Sequence, residues 1–318
     1  LLRDLLEAPL WLAPSRRVSA WLGEPVAIKD PTAAHFRRQG GSNLLVVGRQ
    51  DEQAMGILST ALISLAAQHP PLPELGEGGR GGEGGARFYI LDFSPVDAPY
   101  ADLLRHLVDL LPHSVQRGQR RELPGIIAEI TAEVDLRLEE GEAALWQRPA
   151  IYLLIYGLQR ARDLRQEEDF GYSFGMPDEE EAPPSPAQQF PTILREGPDL
   201  GVHTLVWCDT YTNLTRTLDR RALREFEMRV AFQMSAEDSA NLIDTPAASR
   251  LGPYRALFYS EEEVRLEKFR PYAPPAQAWF DWVESRLREK GTVQSYSVEH
   301  ATTTAERRGD RAEGTFKP

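Results

Sequence analysis

The chain has 318 residues, 42% of them hydrophobic, a formal net charge of −12 at pH 7 and a single cysteine. This hydrophobic content supports a substantial core, in one large α/β domain or two small ones, and the acidic charge argues against a general nucleic-acid coat, which requires clustered Lys and Arg. The lone Cys208 excludes an internal disulfide framework and a cysteine-rich metal site.

The first part of the chain contains the pattern of half a βαβ unit. Leucines at helical spacing predict a short helix over Leu1–Leu12, and a strand is predicted over Trp21–Ile28. Asn43–Val47 is a fully apolar run, as in buried parallel strands. It ends at Gly48, and Glu52–Ala67 follows with apolar residues at helical spacing. Strand, glycine turn and helix in this order form half of a βαβ unit.

Apolar runs and helical patterns continue to alternate along the rest of the chain. Further strands are predicted over Arg87–Phe93, Ala150–Tyr156, Val202–Trp207, Met228–Gln233 and Arg255–Phe258. Helices are predicted over Tyr100–Leu111, Pro124–Glu140 and Ala276–Lys290. Surface loops are predicted over the Gly- and Pro-rich Pro70–Gly85 and the acidic Arg165–Gln189. This alternation predicts an α/β fold with a mostly parallel sheet, flanked by helices on both faces.

These elements predict one main domain. It covers 21–290, with flexible loops at 70–86 and 165–190; an N-terminal helix and linker precede it over 1–20, and a disordered tail follows over 291–318. Because the first residue is not Met, we interpret the chain as a segment of a longer protein. Its longest apolar runs are too short to span a bilayer. We therefore expect a cytoplasmic segment, with any membrane anchor in regions outside it.

Several segments are similar to a known protein family in order and spacing. Gly201–Trp207 (GVHTLVW) is similar to a core strand of that family, Tyr89–Phe93 (YILDF) to a strand that ends in Asp, and Arg229–Gly252 (beginning RVAFQMS) to a block that follows. From about Trp21 to Tyr272, the chain resembles the RecA-like motor domain of the FtsK/SpoIIIE–HerA superfamily, including the tandem modules of type VII secretion ATPases. The resemblance implies a P-loop NTPase fold, ATP with magnesium as cofactor, a ring of partner ATPase modules, and DNA or a secreted protein as cargo.

The P-loop position lacks the residues that bind phosphate. A working P-loop needs glycines for its backbone cradle, a Lys for the β- and γ-phosphates and a Ser or Thr for magnesium. The resemblance places here Gly48, Arg49, Gln50, Asp51, Glu52, Gln53, Ala54 and Met55. Gln53 replaces the second glycine, Ala54 the Lys and Met55 the Ser or Thr. Asp51 and Glu52 favour the start of a helix but repel phosphate.

Two further positions of the family are changed as well. Tyr156 stands where the family has the acidic residue that holds magnesium, and Gly157 matches the residue after it in secretion-type relatives. Asp209 and Thr210 stand at the sensor position, where the family's γ-phosphate reader is not recognisable. Changes at three separate positions predict a module that has lost its own ATPase machinery and binds no cofactor of its own.

Three functional hypotheses follow from these changes. The first is an inert module that acts as a structural, regulatory or partner-docking part of an ATP-driven translocase, beside active ATPase modules. The second is an active ATP-dependent DNA or protein translocase with an atypical site, in which Arg49 replaces the lost Lys; its position directly after Gly48 argues against this role. The third is an adaptor that docks a peptide in the vacated pocket, which apolar and aromatic lining residues would favour.

Arginine clusters and histidines complete the set of candidate residues. Most charged clusters are solvated surface, but in a ring motor arginines can reach a neighbour's nucleotide as trans fingers. The candidates are Arg117, Arg120 and Arg121 in a predicted loop, and Arg216, Arg220, Arg221 and Arg224 on a predicted helix. His203 is expected to be a core histidine. His35, His106 and His113 lack the spacing of zinc ligands, so we predict no metal site.

Overall fold

A ten-stranded sheet organises the part of the chain that this computed structural model describes, residues 1–11, 15–72, 84–141, 145–165 and 184–290. The strands are β1 (Val18–Pro25), β2 (Thr32–Phe36), β3 (Leu44–Val47), β4 (Ala86–Asp92), β5 (Ser114–Gly118), β6 (Ala150–Tyr156), β7 (Val202–Cys208), β8 (Met228–Ala231), β9 (Ala256–Ser260) and β10 (Arg265–Pro271). The helices are α1 (Leu2–Glu7), α2 (Asp51–Gln68), α3 (Leu103–Leu110), α4 (Leu123–Glu139), α5 (Pro186–Glu196), α6 (Tyr211–Leu214), α7 (Arg220–Arg224), α8 (Ala236–Ile243) and α9 (277–290). The strand order is β2-β1-β10-β9-β8-β3-β7-β6-β4-β5.

The strands from β8 to β5 in this order are parallel to one another. Every residue of β3, β7 and β8 is buried, which explains why their sequences are apolar rather than alternating. At the carboxyl ends, the register places Asp92 beside Tyr156 and Tyr156 beside Trp207. Ligands of open parallel sheets bind outside the carboxyl ends of the strands, so a nucleotide site would lie at this edge.

Antiparallel strands extend the sheet on the other side of β8. β9 pairs with β8, β10 with β9, β1 with β10, and β2 with β1 at the edge. Three strands of the structure are not predicted from the sequence: β2, β5 and β10. Two of them, β2 and β5, are edge strands, and β10 alternates between buried and exposed residues. None of these sequences has the continuous apolar run that marks the central strands.

Helices cover both faces of the sheet, which confirms the predicted α/β fold. Alternate residues of β3 contact a core with α1, α2, α3 and α9 on one face, and a core with α4 and α5 on the other. Helix α2 is buried from Ala54 to Ala67 because the sheet lies on one side of it and other helices on the opposite side. None of the helices in the described ranges is long and apolar enough to cross a membrane.

The structure corrects several predicted boundaries. The strand predicted over Trp21–Ile28 occupies Val18–Pro25 instead, where it pairs with both β2 and β10. The loop predicted over Arg165–Gln189 is too long, because α5 begins at Pro186 with a capping box formed by Ser185 and Gln188. Residues 166–183, like 73–83 in the other predicted loop and 291–318 in the predicted tail, lie outside the described residues.

Candidate functional site

The connection between β3 and α2 occupies the P-loop position and is very short. β3 ends at Val47 and α2 begins at Asp51, so only Gly48, Arg49 and Gln50 lie between them. A P-loop wraps its phosphates with backbone N–H groups of a longer glycine-rich turn before the helix starts. Here the residues at the later P-loop positions already form the first turn of α2, so the turn that would surround a phosphate does not exist.

Gly48 is explained by packing rather than by phosphate. Its φ is 141°, and a Cβ at this position would lie 2.5 Å from the Cβ of Phe232, the residue after β8. Its N–H donates to the carbonyl of Cys208 at 3.0 Å, and its carbonyl accepts from Nε1 of Trp207 at 3.0 Å. Both backbone polar groups of Gly48 are therefore used by β7, and glycine is required because the Phe232 side chain leaves no room for a Cβ at this positive φ.

The start of α2 presents carboxylates and no phosphate ligands. Asp51 and Glu52 are exposed in its first turn, and the Glu52 N–H donates to Oδ1 of Asp51 at 2.9 Å. Ala54 and Met55, at the positions of the family's Lys and Ser or Thr, have no exposed surface and belong to the core beneath the sheet. Neither position therefore presents an exposed side chain to a nucleotide at this edge.

Three aromatic residues, which we call the aromatic plug, occupy the edge beside this connection: Tyr100, Tyr156 and Trp207. The rings of Tyr156 and Trp207 stack with centroids 4.4 Å apart, and Tyr100 meets Tyr156 edge-on at 6.4 Å. The Tyr156 hydroxyl donates to the carbonyl of Asp51 at 3.1 Å. Burial, followed by the neighbouring Tyr100, raises the pKa of Tyr156, so its phenol stays neutral and offers magnesium no anionic oxygen.

Replacing Tyr156 with Phe is expected to lower the free energy of unfolding by about 1 kcal/mol, because it removes the hydrogen bond to Asp51 and leaves that carbonyl without this donor. Urea unfolding measures the difference. Tyr254→Phe is the matched control, since Tyr254 is 63% exposed and should change stability by less than about 0.5 kcal/mol. Equal effects of the two substitutions would show that the plug does not secure the connection.

A buried carboxylate lies next to the aromatic plug, paired with a half-buried arginine that the sequence does not predict as its partner. Asp92, at the end of β4, is 1% exposed and accepts from Arg117 at 2.9 Å and from the Ser94 N–H at 2.9 Å. Asp92 is the carboxylate beside Tyr156 in the sheet, but it is neutralised within the protein. The sequence signal for this pair is the acidic residue of the YILDF strand. Its partner, Arg117, lies on β5, which pairs with β4.

The sensor-position residues cap a helix. Thr210 is the N-cap of α6, and its Oγ1 accepts from the Asn213 N–H at 3.2 Å. Oδ1 of Asp209 accepts from Nδ2 of Asn213 at 2.8 Å. Gly157 also has a structural role, since its φ is 90° and its N–H donates to the carbonyl of Trp207 at 3.2 Å. The candidate residues at the three positions thus lie along one sheet edge, and their hydrogen bonds are to nearby side chains and backbone.

A cavity of about 560 Å³ opens beside the start of α2. Its lining combines the carboxylates of Asp51, Glu52 and Asp102 with apolar and aromatic residues, including Tyr100 and Phe280. Asp102 pairs with Arg105, and among the described lining residues there is no Lys or Arg. Phosphate groups need cationic or N–H donors. The lining of this cavity therefore does not fit ATP with magnesium.

Comparison with solved structures shows which proteins share this fold. The cytoplasmic domain of the type VII secretion ATPase EccC from Thermomonospora curvata matches 90% of this chain, and 34% of its own length, with a TM-score of 0.58 at 18% identity. EssC (ATPases 2 and 3) from Geobacillus thermodenitrificans matches 91% of this chain and 52% of its own length, with a TM-score of 0.55 at 14% identity. The conjugation coupling protein TcpA of pCW3 matches 85% of this chain and 72% of its own length, with a TM-score of 0.52 at 14% identity.

The chain shares the α/β fold of these ATPase structures. This confirms the fold that the sequence resemblance implies. The chain spans about a third of the EccC chain and half of the EssC chain, so it corresponds to one part of a larger arrangement in those proteins. No protein-family model and no curated protein matches it.

Within this fold the two arginine clusters differ in availability. Arg117 lies on β5 rather than in a loop, and its guanidinium pairs with Asp92 inside the protein. Arg120 lies 3.6 Å from Asp163. In the second cluster, Arg220, Arg221 and Arg224 lie on α7, whereas Arg216 precedes this helix. Its four arginines are all exposed, and none of them has a carboxylate within ion-pair distance among the described residues: Arg216, Arg220, Arg221 and Arg224.

The histidines serve the core and the surface. His203 is buried in β7, with Nδ1 2.8 Å from the carbonyl of Ser42. His113 Nε2 lies 2.7 Å from the carbonyl of His69, whose own Nε2 lies 2.9 Å from the Tyr152 hydroxyl. Across the described ranges, no group of three or more His, Cys, Asp or Glu side chains is arranged to hold a metal ion.

Acidification is expected to destabilise the protein through His69, His113 and His203. Burial lowers the pKa of each to about 4. The unfolded chain therefore takes up protons near pH 6.5 and the folded chain only near pH 4, so stability is full above pH 6.5 and falls between those values. From pH 7.5 to 5.5 each histidine should cost about 1 kcal/mol.

Urea unfolding at these two pH values measures this loss. His203→Asn keeps a donor for Ser42 and should reduce the pH dependence by about 1 kcal/mol. Stability that is constant between pH 7.5 and 5.5 would contradict the burial of neutral histidines.

Proposed function

We propose that this chain is a nucleotide-free module of P-loop ATPase fold, which acts as a structural, regulatory or partner-docking part of an ATP-driven translocase. The observation that carries the proposal is the three-residue connection from β3 to α2, sealed by the aromatic plug. A fold that keeps its buried strands while its phosphate-binding residues become core and helix cap is maintained for its shape and surface.

An active translocase with an atypical site is the alternative, and the geometry of the edge weighs against it. Such an enzyme needs a cation near the γ-phosphate and an acidic ligand for magnesium. The positions that would supply them are Ala54, Met55 and Tyr156, all fully buried, while Asp92 is paired with Arg117. Arg49 is exposed and directly follows Gly48, so it does not replace the lost Lys.

Neighbouring ATPase modules are the proposed partners. The EssC structure contains two such modules in tandem, ATPases 2 and 3, which supports an arrangement in which this module lies beside active ones. The exposed arginines Arg216, Arg220, Arg221 and Arg224 are the better candidates for trans fingers, because Arg117 is held within the protein. We place the module in the cytoplasm, as for the EccC domain that it matches.

Partner docking at the cavity beside α2 refines this proposal. Its aromatic and proline-rich lining, which includes Tyr100, Phe280 and Pro274, resembles that of a binding pocket more than that of a phosphate site. EccC has been solved in complex with a signal sequence peptide. By analogy with that protein, a peptide with apolar and basic side chains suits the lining here, because Asp51 and Glu52 would attract its basic groups.

Calorimetric titration of the purified chain with ATP and magnesium, up to millimolar concentration, tests the proposal. We expect no binding that involves the connection from β3 to α2. Micromolar ATP binding at this connection would overturn the proposal, and hydrolysis would then be measured with the same preparation. Adenosine and ADP serve as controls that separate recognition of the base from recognition of the phosphates.

A further inference from the structure

A small basic cavity lies at the opposite, amino-terminal edge of the parallel strands. Its volume is about 220 Å³, and its lining includes the residues that begin β6 and β7. The buried side chains of Tyr152 and His203 form part of its wall. Arginines 16, 37, 38 and 148 also line it, so its character is opposite to that of the acidic cavity beside α2.

Two of these arginines have no ion-pair partner among the described residues. Arg37 pairs with Glu262, and Arg148 pairs with Glu140. Arg16 and Arg38, in contrast, have no carboxylate within ion-pair distance among the described residues. Both guanidinium groups lie over the ring of Trp146, with their central carbons 5.2 and 4.9 Å from its centroid.

Arg38 is fixed in place before any ligand arrives. It donates to the carbonyls of Leu145 and Arg148. It also fills the space beside Gly201, whose φ is 80° and whose Cβ, if present, would lie 2.9 Å from Nε of Arg38. Burial, together with the nearby Arg137, lowers the pKa of Arg38 to about 10, as expected for a cation that lacks a counter-charge.

We propose that this cavity binds a phosphate group through Arg16 and Arg38. Two planar guanidinium groups match the oxygens of one phosphate, and a dianion balances two positive charges where a single carboxylate would balance one. Arg38 already makes two bonds to carbonyls, so it supplies its remaining N–H donors from a fixed position. The 220 Å³ cavity limits the ligand to a compact anion or to the terminal phosphate of a larger molecule.

Calorimetry with inorganic phosphate and with pyrophosphate tests this site at low ionic strength. Arg16→Gln should weaken phosphate binding by about tenfold or more, because it removes a charge-assisted contact. Arg16 is exposed, so the variant should fold, and thermal unfolding verifies this. Arg38→Lys keeps the charge but removes the fork and should weaken binding as well. Arg250→Gln, at another exposed arginine, is the control and should bind as the parent does.

Failure of this site and failure of the proposed function are distinguishable. Phosphate binding that is absent in the parent protein, or equal in the parent and Arg16→Gln, overturns the phosphate site and leaves the proposed function standing. ATP and ADP test whether a free or a nucleotide-borne phosphate is preferred. ATP binding that Arg16→Gln abolishes belongs to the basic cavity, whereas ATP binding that Arg16→Gln retains contradicts the nucleotide-free module.

Discussion

Replacing Ala54 with lysine, the residue that a P-loop has at this position, is expected to destabilise the protein by at least about 3 kcal/mol and to restore no ATP binding. Ala54 has no exposed surface and lies in the core beneath the sheet. A lysine there overfills a packed region and takes a charge out of water. Urea unfolding measures the loss of stability, and calorimetry measures nucleotide binding by whatever fraction folds.

Gln53→Lys is the matched control for this substitution. It adds the same charge one residue earlier on the same helix, where the side chain is only partly buried, and should cost less than about 1 kcal/mol. An Ala54→Lys protein as stable as the Gln53→Lys protein would contradict the packing of α2. One that gains ATP binding would show that the connection can still surround a phosphate.

Gly48→Ala is expected to lower the free energy of unfolding by about 3 kcal/mol, because it places a Cβ 2.5 Å from Phe232 and forces a φ of 141° on an L-residue. Gly125→Ala is the control. Gly125 is exposed within α4, nothing lies within 4 Å of its added Cβ, and alanine should stabilise the helix by about 0.5–1 kcal/mol. Similar effects of the two alanines would contradict the close approach of β8 to Gly48.

The central strands could be predicted from the sequence because burial on both faces leaves a local signal. The strand predicted over Ala150–Tyr156 has the bounds of β6, and the strand predicted over Asn43–Val47 begins one residue before β3. The edge strand β5 and the alternating β10 have no such signal, because each of them mixes exposed or half-buried residues with buried ones. Their places in the sheet follow from tertiary contacts that a local pattern does not contain.

The sequence shows which phosphate and magnesium ligands the candidate site lacks, but it does not show which contacts take their place. Ala54, Met55 and Tyr156 show by residue type alone that phosphate and magnesium ligands are missing. The stacking of Tyr156 on Trp207 depends on the register between β6 and β7, which the sequence does not specify. Aromatic residues at the ends of two predicted neighbouring strands were the only available hint. The packing of Gly48 against Phe232 likewise depends on a tertiary contact.

The indole N–H of Trp207 offers the most direct test that this edge binds no nucleotide, because it donates to the carbonyl of Gly48. The chain has six tryptophans, and Trp207→Phe and Trp146→Phe variants assign two of their indole resonances in a ¹H–¹⁵N correlation spectrum. With ATP and magnesium added to about 5 mM, the Trp207 resonance is predicted to stay in place, whereas that of Trp146 reports any phosphate in the basic cavity. A saturable shift of the Trp207 resonance, retained in the Arg16→Gln variant, would contradict the account.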